Sequence, residues 1–130
     1  VENTHVPSGT HYATLACARQ GAGALITTDD GRVVMIDTTY RDFYEIPGGV
    51  VELGETPPQA SARECREELG MEISVGRLLA IDHQCDGGER GDSIMYIYDD
   101  GSIPQEVLAR EAVTRKSQRS SWSSLRTWAR

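Results

Sequence analysis

Phenylalanine is almost missing from this chain: Phe43 is the only one in 130 residues, aromatic residues make up 6% and apolar residues 38%. Such a sequence builds one modest hydrophobic core, not two, with no surplus of stability. Cysteine is also scarce. Cys17, Cys65 and Cys85 are an odd number at no metal-ligand spacing, which argues against a disulfide-stapled scaffold and fits a reducing compartment. No apolar run approaches the ~18 residues that would cross a bilayer, and no basic start precedes an apolar stretch, so neither a span nor a signal peptide is expected. The expected setting is the cytoplasm, with no membrane partner.

Basic residues are few in the body of the chain. Residues 1–109 hold 19 acidic and 7 basic side chains, whereas 110–130 hold 1 acidic and 6 basic, within a net charge of −7. An acidic body argues against a nucleic-acid surface, and it repels a polyphosphate unless a cation mediates. The basic tail reads as a poorly ordered terminus or a weak last helix. In that helix Trp122, Leu125 and Trp128 would share one stripe; stacking on a base is the lesser use of the tryptophans.

What the sequence does have is concentrated in residues 47–71, PGGVVELGETPPQASARECREELGM. Thr56 suits an N-cap, Pro57 the first helical position and Gly70 the stop, so this segment contains a helix. On its wheel, with Glu64 at zero, Glu67 falls at about −60° and Glu68 at about +40°, so three carboxylates share one arc. Crowded like charges weaken an isolated helix, and a cation above that face would relieve them. Oxygen-only donors select a hard divalent ion, Mg²⁺ or Mn²⁺ ahead of zinc. Pro58, Ala62, Cys65 and Leu69 cluster at about 100–160° as the expected core stripe, and Ala60 shares the carboxylate face, small enough to leave room for a ligand. Gly48 and Gly49 let the backbone approach a ligand closely. Taken alone, the run Arg-Glu-Cys-Arg-Glu-Glu also fits a solvated helix face with paired charges.

The rest of the chain reads as strands over 11–19, 22–28, 32–37, 76–84 and 93–98, with a hairpin turn at Asp29-Asp30-Gly31 and a Gly-rich acidic loop at 86–91. Strands on both sides of one well-marked helix predict an α+β domain with a mixed sheet.

The segment resembles the Nudix box, G-x5-E-x7-R-E-U-x-E-E-x-G-U with U a bulky apolar residue, through Gly49, Glu55, Arg63, Glu64, Cys65, Glu67, Glu68, Gly70 and Met71. All seven fixed identities are met. At ~7% per residue type their chance agreement is on the order of 10⁻⁸ per window. Cys65 departs mildly from the usual Leu, Ile or Val, and a buried thiol packs as a small hydrophobe. Upstream, Tyr44-Glu45-Ile46-Pro47-Gly48-Gly49 is similar to the family's approach to the box, with Tyr44 where Trp is frequent. The resemblance runs from about residue 11 to residue 109, and 110–130 is atypical.

The resemblance implies a single Nudix domain over 1–130, a mixed sheet between helices in an α/β/α sandwich. It implies metal-dependent hydrolysis of a nucleoside diphosphate linked to another moiety. Glu64, Glu67 and Glu68 would hold the metal with the Gly48 carbonyl, and Glu64 is the first candidate for the base. Arg63 would orient the carboxylates and Glu55 would close the loop. Some members use a glutamate from a later loop, where Glu89 is best placed, with Asp86 and Asp92 behind it. Arg41 and Arg90 are the cations nearest to hand for a phosphate. The markers of ADP-ribose and dinucleoside-polyphosphate enzymes, a Pro or Tyr about sixteen residues past Met71, are replaced by Gly87, Gly88 and Glu89. A nucleoside triphosphate is therefore the default substrate. ADP-ribose, a sugar nucleotide, or a non-catalytic nucleotide-sensing role are the alternatives, and the atypical C-terminus leaves open a homodimer.

Overall fold

The computed structural model describes residues 9, 12–38, 42–86, 88–109 and 123–128, with Thr38 and the last segment described through their backbone. Its elements in chain order are β1 (Ala18–Thr28), β2 (Val33–Thr38), β3 (Tyr44–Glu45), β4 (Gly48–Val50), α1 (Pro57–Leu69), β5 (Leu78–Gln84), β6 (Asp92–Ile103) and β7 (Ser123–Trp128). They form one mixed sheet in the order β3-β2-β1-β6-β5, with β4 also on β1 and β7 on β2. The long central pair β1 and β6 is parallel, and the other pairs are antiparallel. The α+β expectation with a mixed sheet is met.

Alternation along β1 sets the layers. Ala22, Ala24, Ile26 and Thr28 are buried on the face that meets α1, as a period of two requires. One cluster joins Ala24, Ile26, Val34, Cys65, Leu69, Ile103 and Leu108; a second joins Ala22, Ala60 and Tyr98. A helical turn at 105–109 brings Leu108 to the same core as α1. The hairpin from β1 to β2 closes as expected: Gly31 sits at φ +84, and the Thr28 N–H donates to the Arg32 carbonyl at 2.8 Å.

The structure corrects several boundaries. Residues 12–17 form no strand and are exposed, and β1 is instead one continuous strand from Ala18 that absorbs the expected 22–28 run. The strand expected over 93–98 runs from Asp92 to Ile103. Leu125 and Trp128 lie in a strand, not in a helical stripe: β7 pairs with β2 in the register Val33↔Trp128 to Thr38↔Ser123. An open edge on β2 supplies backbone partners that a local reading of three-residue spacing does not see. Trp122 lies outside the described residues.

The helix limits match the sequence. Gln59 Oε1 accepts from the Thr56 backbone N–H at 2.8 Å, Pro57 opens α1, and Gly70 stops it at φ 73, ψ 16 with its N–H on the Arg66 carbonyl. Its buried face is rotated from the expected one. Ala60, Ser61, Cys65 and Leu69 are buried, whereas Pro58 is exposed and Ala62 half-buried. Ala60 packs against Ala22 and Tyr98, so it fills the core and leaves no ligand space. The wheel gives relative angles alone; the sheet decides which arc faces inward, and here that arc includes Glu64 and Glu68.

Asp100 fastens these layers. It is 7% exposed, accepts from the Gly76 N–H at 3.1 Å and lies 3.3 Å from Ser61 Oγ, joining β6 to α1 and to the segment after it. Burial pushes its carboxyl above the ordinary carboxylate range, and those two hydrogen bonds oppose the shift.

Candidate active site

The site forms where α1 crosses β4. Gly48 and Gly49 pair with Gly23 and Ala22 of β1, so β4 lies flat on the central strand under the helix. Gly48 has no room for a side chain: a Cβ there would lie 2.7 Å from the Gly23 Cα, and its φ is +154. Its N–H donates to Glu68 Oε2 at 2.9 Å. Gly49 stands under Glu64, whose carboxylate occupies the space a Cβ would take.

Arg63 ties the pieces together. Its Nε and Nη2 donate to the two oxygens of Glu55 at 3.0 and 3.1 Å, a forked pair. Nη2 also donates to the Val50 carbonyl at 2.9 Å, and Nη1 donates to Glu64 Oε1 at 2.7 Å and lies 3.5 Å from Glu67 Oε2. One guanidinium thus joins β4, the loop before the helix, and two carboxylates of the helix. Glu55 is presented by a turn in which its N–H donates to the Glu52 carbonyl at 3.1 Å, with Gly54 at φ +81, a conformation glycine adopts without penalty. The Glu55 carboxylate in turn accepts from the Glu52 N–H.

The electrostatics follow from these contacts. The hydrogen bond to Arg63 holds Glu55 below its ordinary value. Those to Glu55 and Glu64 raise Arg63, keeping it charged. Three carboxylates, those of Glu55, Glu64 and Glu67, meet the Arg63 guanidinium, and the fourth, Glu68, accepts from the Gly48 N–H. Arg63, Glu55 and Glu64 are 15–17% exposed at their side chains, whereas Glu67 is 57% exposed. Glu55 and Glu64 are therefore held in place by Arg63, as Glu68 is by the Gly48 N–H, and Glu67 faces solvent at the rim. Carboxylate oxygens gathered on one side of a helix, without nitrogen or sulfur donors among them, suit a hard divalent cation.

Cys65 points away from this cluster into the core and is fully buried. Burial, then the fields of Asp100, Glu68 and Glu64, push its thiol up to about 12. It packs in the core cluster with Ala24, Ile26, Val34 and Leu69.

The structure thus brings together Gly48, Arg63, Glu64, Glu67 and Glu68, with Glu55 behind them. Glu89 is exposed on the loop after β5, and Asp92 begins β6. Arg41 lies outside the described residues, and Arg90 is exposed. The sequence reading missed one contributor to this site and one cluster elsewhere in the fold. The Val50 carbonyl carries no side-chain signal, and His83 with Asp92 beside Cys85 escapes a search that counts cysteine spacings alone.

A mixed sheet carrying an acid-rich helix over a Gly-Gly strand defines a recognisable class of domain. The NUDIX domain family model matches residues 18–125, and the chain belongs to the Nudix family. Among curated relatives it is 39% identical over 57 residues to a MutT-like protein of Streptomyces ambofaciens, covering 44% of this chain and 37% of that one. It is 42% identical over 53 residues to an RNA pyrophosphohydrolase of Halorhodospira halophila, covering 41% and 29%. It is 34% identical over 79 residues to an ADP-ribose pyrophosphatase of Methanocaldococcus jannaschii, covering 57% and 47%. The matches span between about a third and a half of those relatives' lengths. In fold it is similar to a mutT/nudix family protein from Listeria innocua, with a TM-score of 0.64, 17% identity, and coverage of 88% of this chain and 80% of that one.

Proposed function

We propose that this chain is a metal-dependent pyrophosphohydrolase that cleaves the pyrophosphate bond of a nucleoside diphosphate linked to another moiety. The observation that carries the reading is the fixed carboxylate set: Glu64 and Glu68 held against Gly49 and Gly48, with Glu67 at the rim and Arg63 bracing both Glu64 and Glu55.

Glu64, Glu67 and Glu68 hold Mg²⁺, or Mn²⁺, with the Gly48 carbonyl as a further oxygen. When bound, the ion screens the diphosphate, polarises a phosphoryl oxygen and acidifies a water. Glu64 accepts the proton of the attacking water, since its carboxylate is already oriented by Arg63 and walled by Gly49. Arg63 keeps that orientation through the Glu55 fork and the Val50 carbonyl. Glu89 and Arg41 are the groups we assign to substrate.

A nucleoside triphosphate is the first substrate of this proposal. ADP-ribose or a nucleotide sugar is the second, favoured by the match over 57% of this chain to a relative named for ADP-ribose. The acidic body favours a small nucleotide over a nucleic-acid chain. No helix among the described residues is long and apolar enough to cross a membrane, and the cytoplasm is the compartment we propose.

Phosphate and pyrophosphate release from nucleoside triphosphates, ADP-ribose, dinucleoside polyphosphates and nucleotide sugars, with Mg²⁺ or Mn²⁺, tests the proposal. Release that needs both the metal and Glu67 supports it and names the substrate class. A Glu67→Gln enzyme with near-normal rate sinks the assignment. Metal-dependent thermal stabilisation without turnover on any substrate favours a nucleotide-sensing module.

A further inference from the structure

His83, Cys85 and Asp92 place an imidazole nitrogen, a thiol sulfur and a carboxylate oxygen all within 4.8 Å of one another. The strand register explains why. β5 and β6 pair antiparallel with Gln84 opposite Ser93 and His83 opposite Ile94, so the next pair outward sets Cys85 opposite Asp92. Directly opposed residues project from the same face, and residues two apart along a strand do so as well. All three side chains therefore leave one face at the mouth of the hairpin, while Gln84 turns to the other face and bonds Asp82.

We propose that this trio binds a borderline-soft divalent transition metal, Zn²⁺ in the first place, with water completing a tetrahedron. Nitrogen, sulfur and oxygen donors in a three-ligand set are the pattern of an open zinc position. Tetrahedral bonds of about 2.0–2.3 Å put donor atoms about 3.3–3.7 Å apart. His83 Nε2 and Asp92 Oδ2 already stand 3.9 Å apart, so modest side-chain rotations complete the geometry. His83 and Cys85 are exposed and Asp92 is half-buried, which leaves an entry path for the ion. Binding replaces the Cys85 S–H bond by an S–Zn bond and releases the proton to solvent.

This site is separate from the carboxylate cluster. Asp92 lies beside Ala18 on β1, whereas Gly49 lies beside Ala22, four residues or about 13 Å along the strand. The donor chemistries also differ: oxygen alone at α1, and mixed nitrogen, sulfur and oxygen here. The two ends of the loop 86–91 would be joined by the ion, so the loop that carries Glu89 would be closed at its base.

Co²⁺ is the probe, titrated into the full chain with excess Mg²⁺ present to occupy hard-oxygen sites. The expected result is a thiolate-to-Co²⁺ charge-transfer band and tetrahedral d–d bands that saturate at one equivalent and are displaced by Zn²⁺. Cys85→Ser abolishes the charge-transfer band, and Cys17→Ser and Glu67→Gln leave it unchanged. His83→Gln and Asp92→Asn weaken Co²⁺ binding by about tenfold or more. No charge-transfer band in the unaltered chain overturns the proposal. So does a band that survives Cys85→Ser, or an affinity indifferent to His83→Gln. Because the readout is a spectrum and not turnover, the result is independent of the proposed hydrolysis.

Discussion

Gly49 and Glu64 touch so closely that a Cβ on Gly49 would stand 2.5 Å from the Glu64 carboxyl carbon. The obstacle is the far end of a flexible side chain, so Gly49→Ala displaces Glu64 and leaves the backbone intact. We expect the variant to fold, with a melting temperature within a few degrees of the parent, and to lose about 10–100-fold in turnover. Gly48→Ala meets backbone instead, with the Ala22 carbonyl and the Gly23 Cα in the way and φ at +154. It should cost about 1–3 kcal/mol of stability. Thermal melts and initial rates on the pair separate the two roles; equal effects on both would show that β4 is merely structural.

Arg63 is expected to act through its shape as well as its charge. Lysine in its place keeps the cation and loses the fork to Glu55 and the simultaneous bonds to Val50 and Glu64. Arg63→Lys should lower kcat by about 10–100-fold with little change in KM, because the carboxylates lose orientation while substrate contacts remain. A rise in KM at constant kcat would instead place Arg63 on the substrate.

The limits of α1 were legible in the sequence because caps are local: Thr56, Pro57 and Gly70 each act through neighbours within four residues. The box carboxylates were legible for the same reason, since helical spacing alone sets Glu64, Glu67 and Glu68 on one arc. What was not legible depended on distant chain. Ala60 was expected beside a ligand and lies in the core because the arc that faces the sheet is fixed by β1, not by the helix. Leu125 and Trp128 were read on a helical period, and the free edge of β2 makes them strand. The meeting of His83 and Cys85 with Asp92 follows from hairpin register, which a count along the sequence does not contain.

Two carboxylates should leave opposite signatures in stability against pH. Glu55 is held below its ordinary value of 4.5 by Arg63, so its contribution is present above that value and lost as pH falls through the lower folded value. The melting-temperature advantage of the parent over Glu55→Gln should therefore be full at pH 7 and fade below about pH 4.5. Asp100 is raised above its ordinary 3.8 by burial. Its folded form binds the proton more tightly than its unfolded form, so the parent gains stability as pH falls through the raised value towards 3.8. Asp100→Asn, which keeps an acceptor for the Gly76 N–H and a donor for Ser61, should match or exceed the parent at pH 7 and lose ground on acidification. Asp100→Ala strands both partners and should cost about 1–3 kcal/mol throughout. Parallel pH profiles for the two carboxylate variants would contradict the opposed shifts.

The three thiols should divide by burial. Cys17 and Cys85 are exposed, and Cys65 is buried. With its thiol pushed up from 9.0 to about 12, Cys65 at pH 8 holds about 10³-fold less thiolate than an ordinary cysteine, before any loss of access is counted. Native-state alkylation followed by mass spectrometry should show two rapid modifications, at Cys17 and Cys85. The third should appear at the rate at which α1 leaves the sheet, and Leu69→Ala, which opens the same core cluster, should accelerate it. Rapid labelling of Cys65 in the parent protein would mean that α1 does not seal the core over Ala24 and Ile26 as the structure places it.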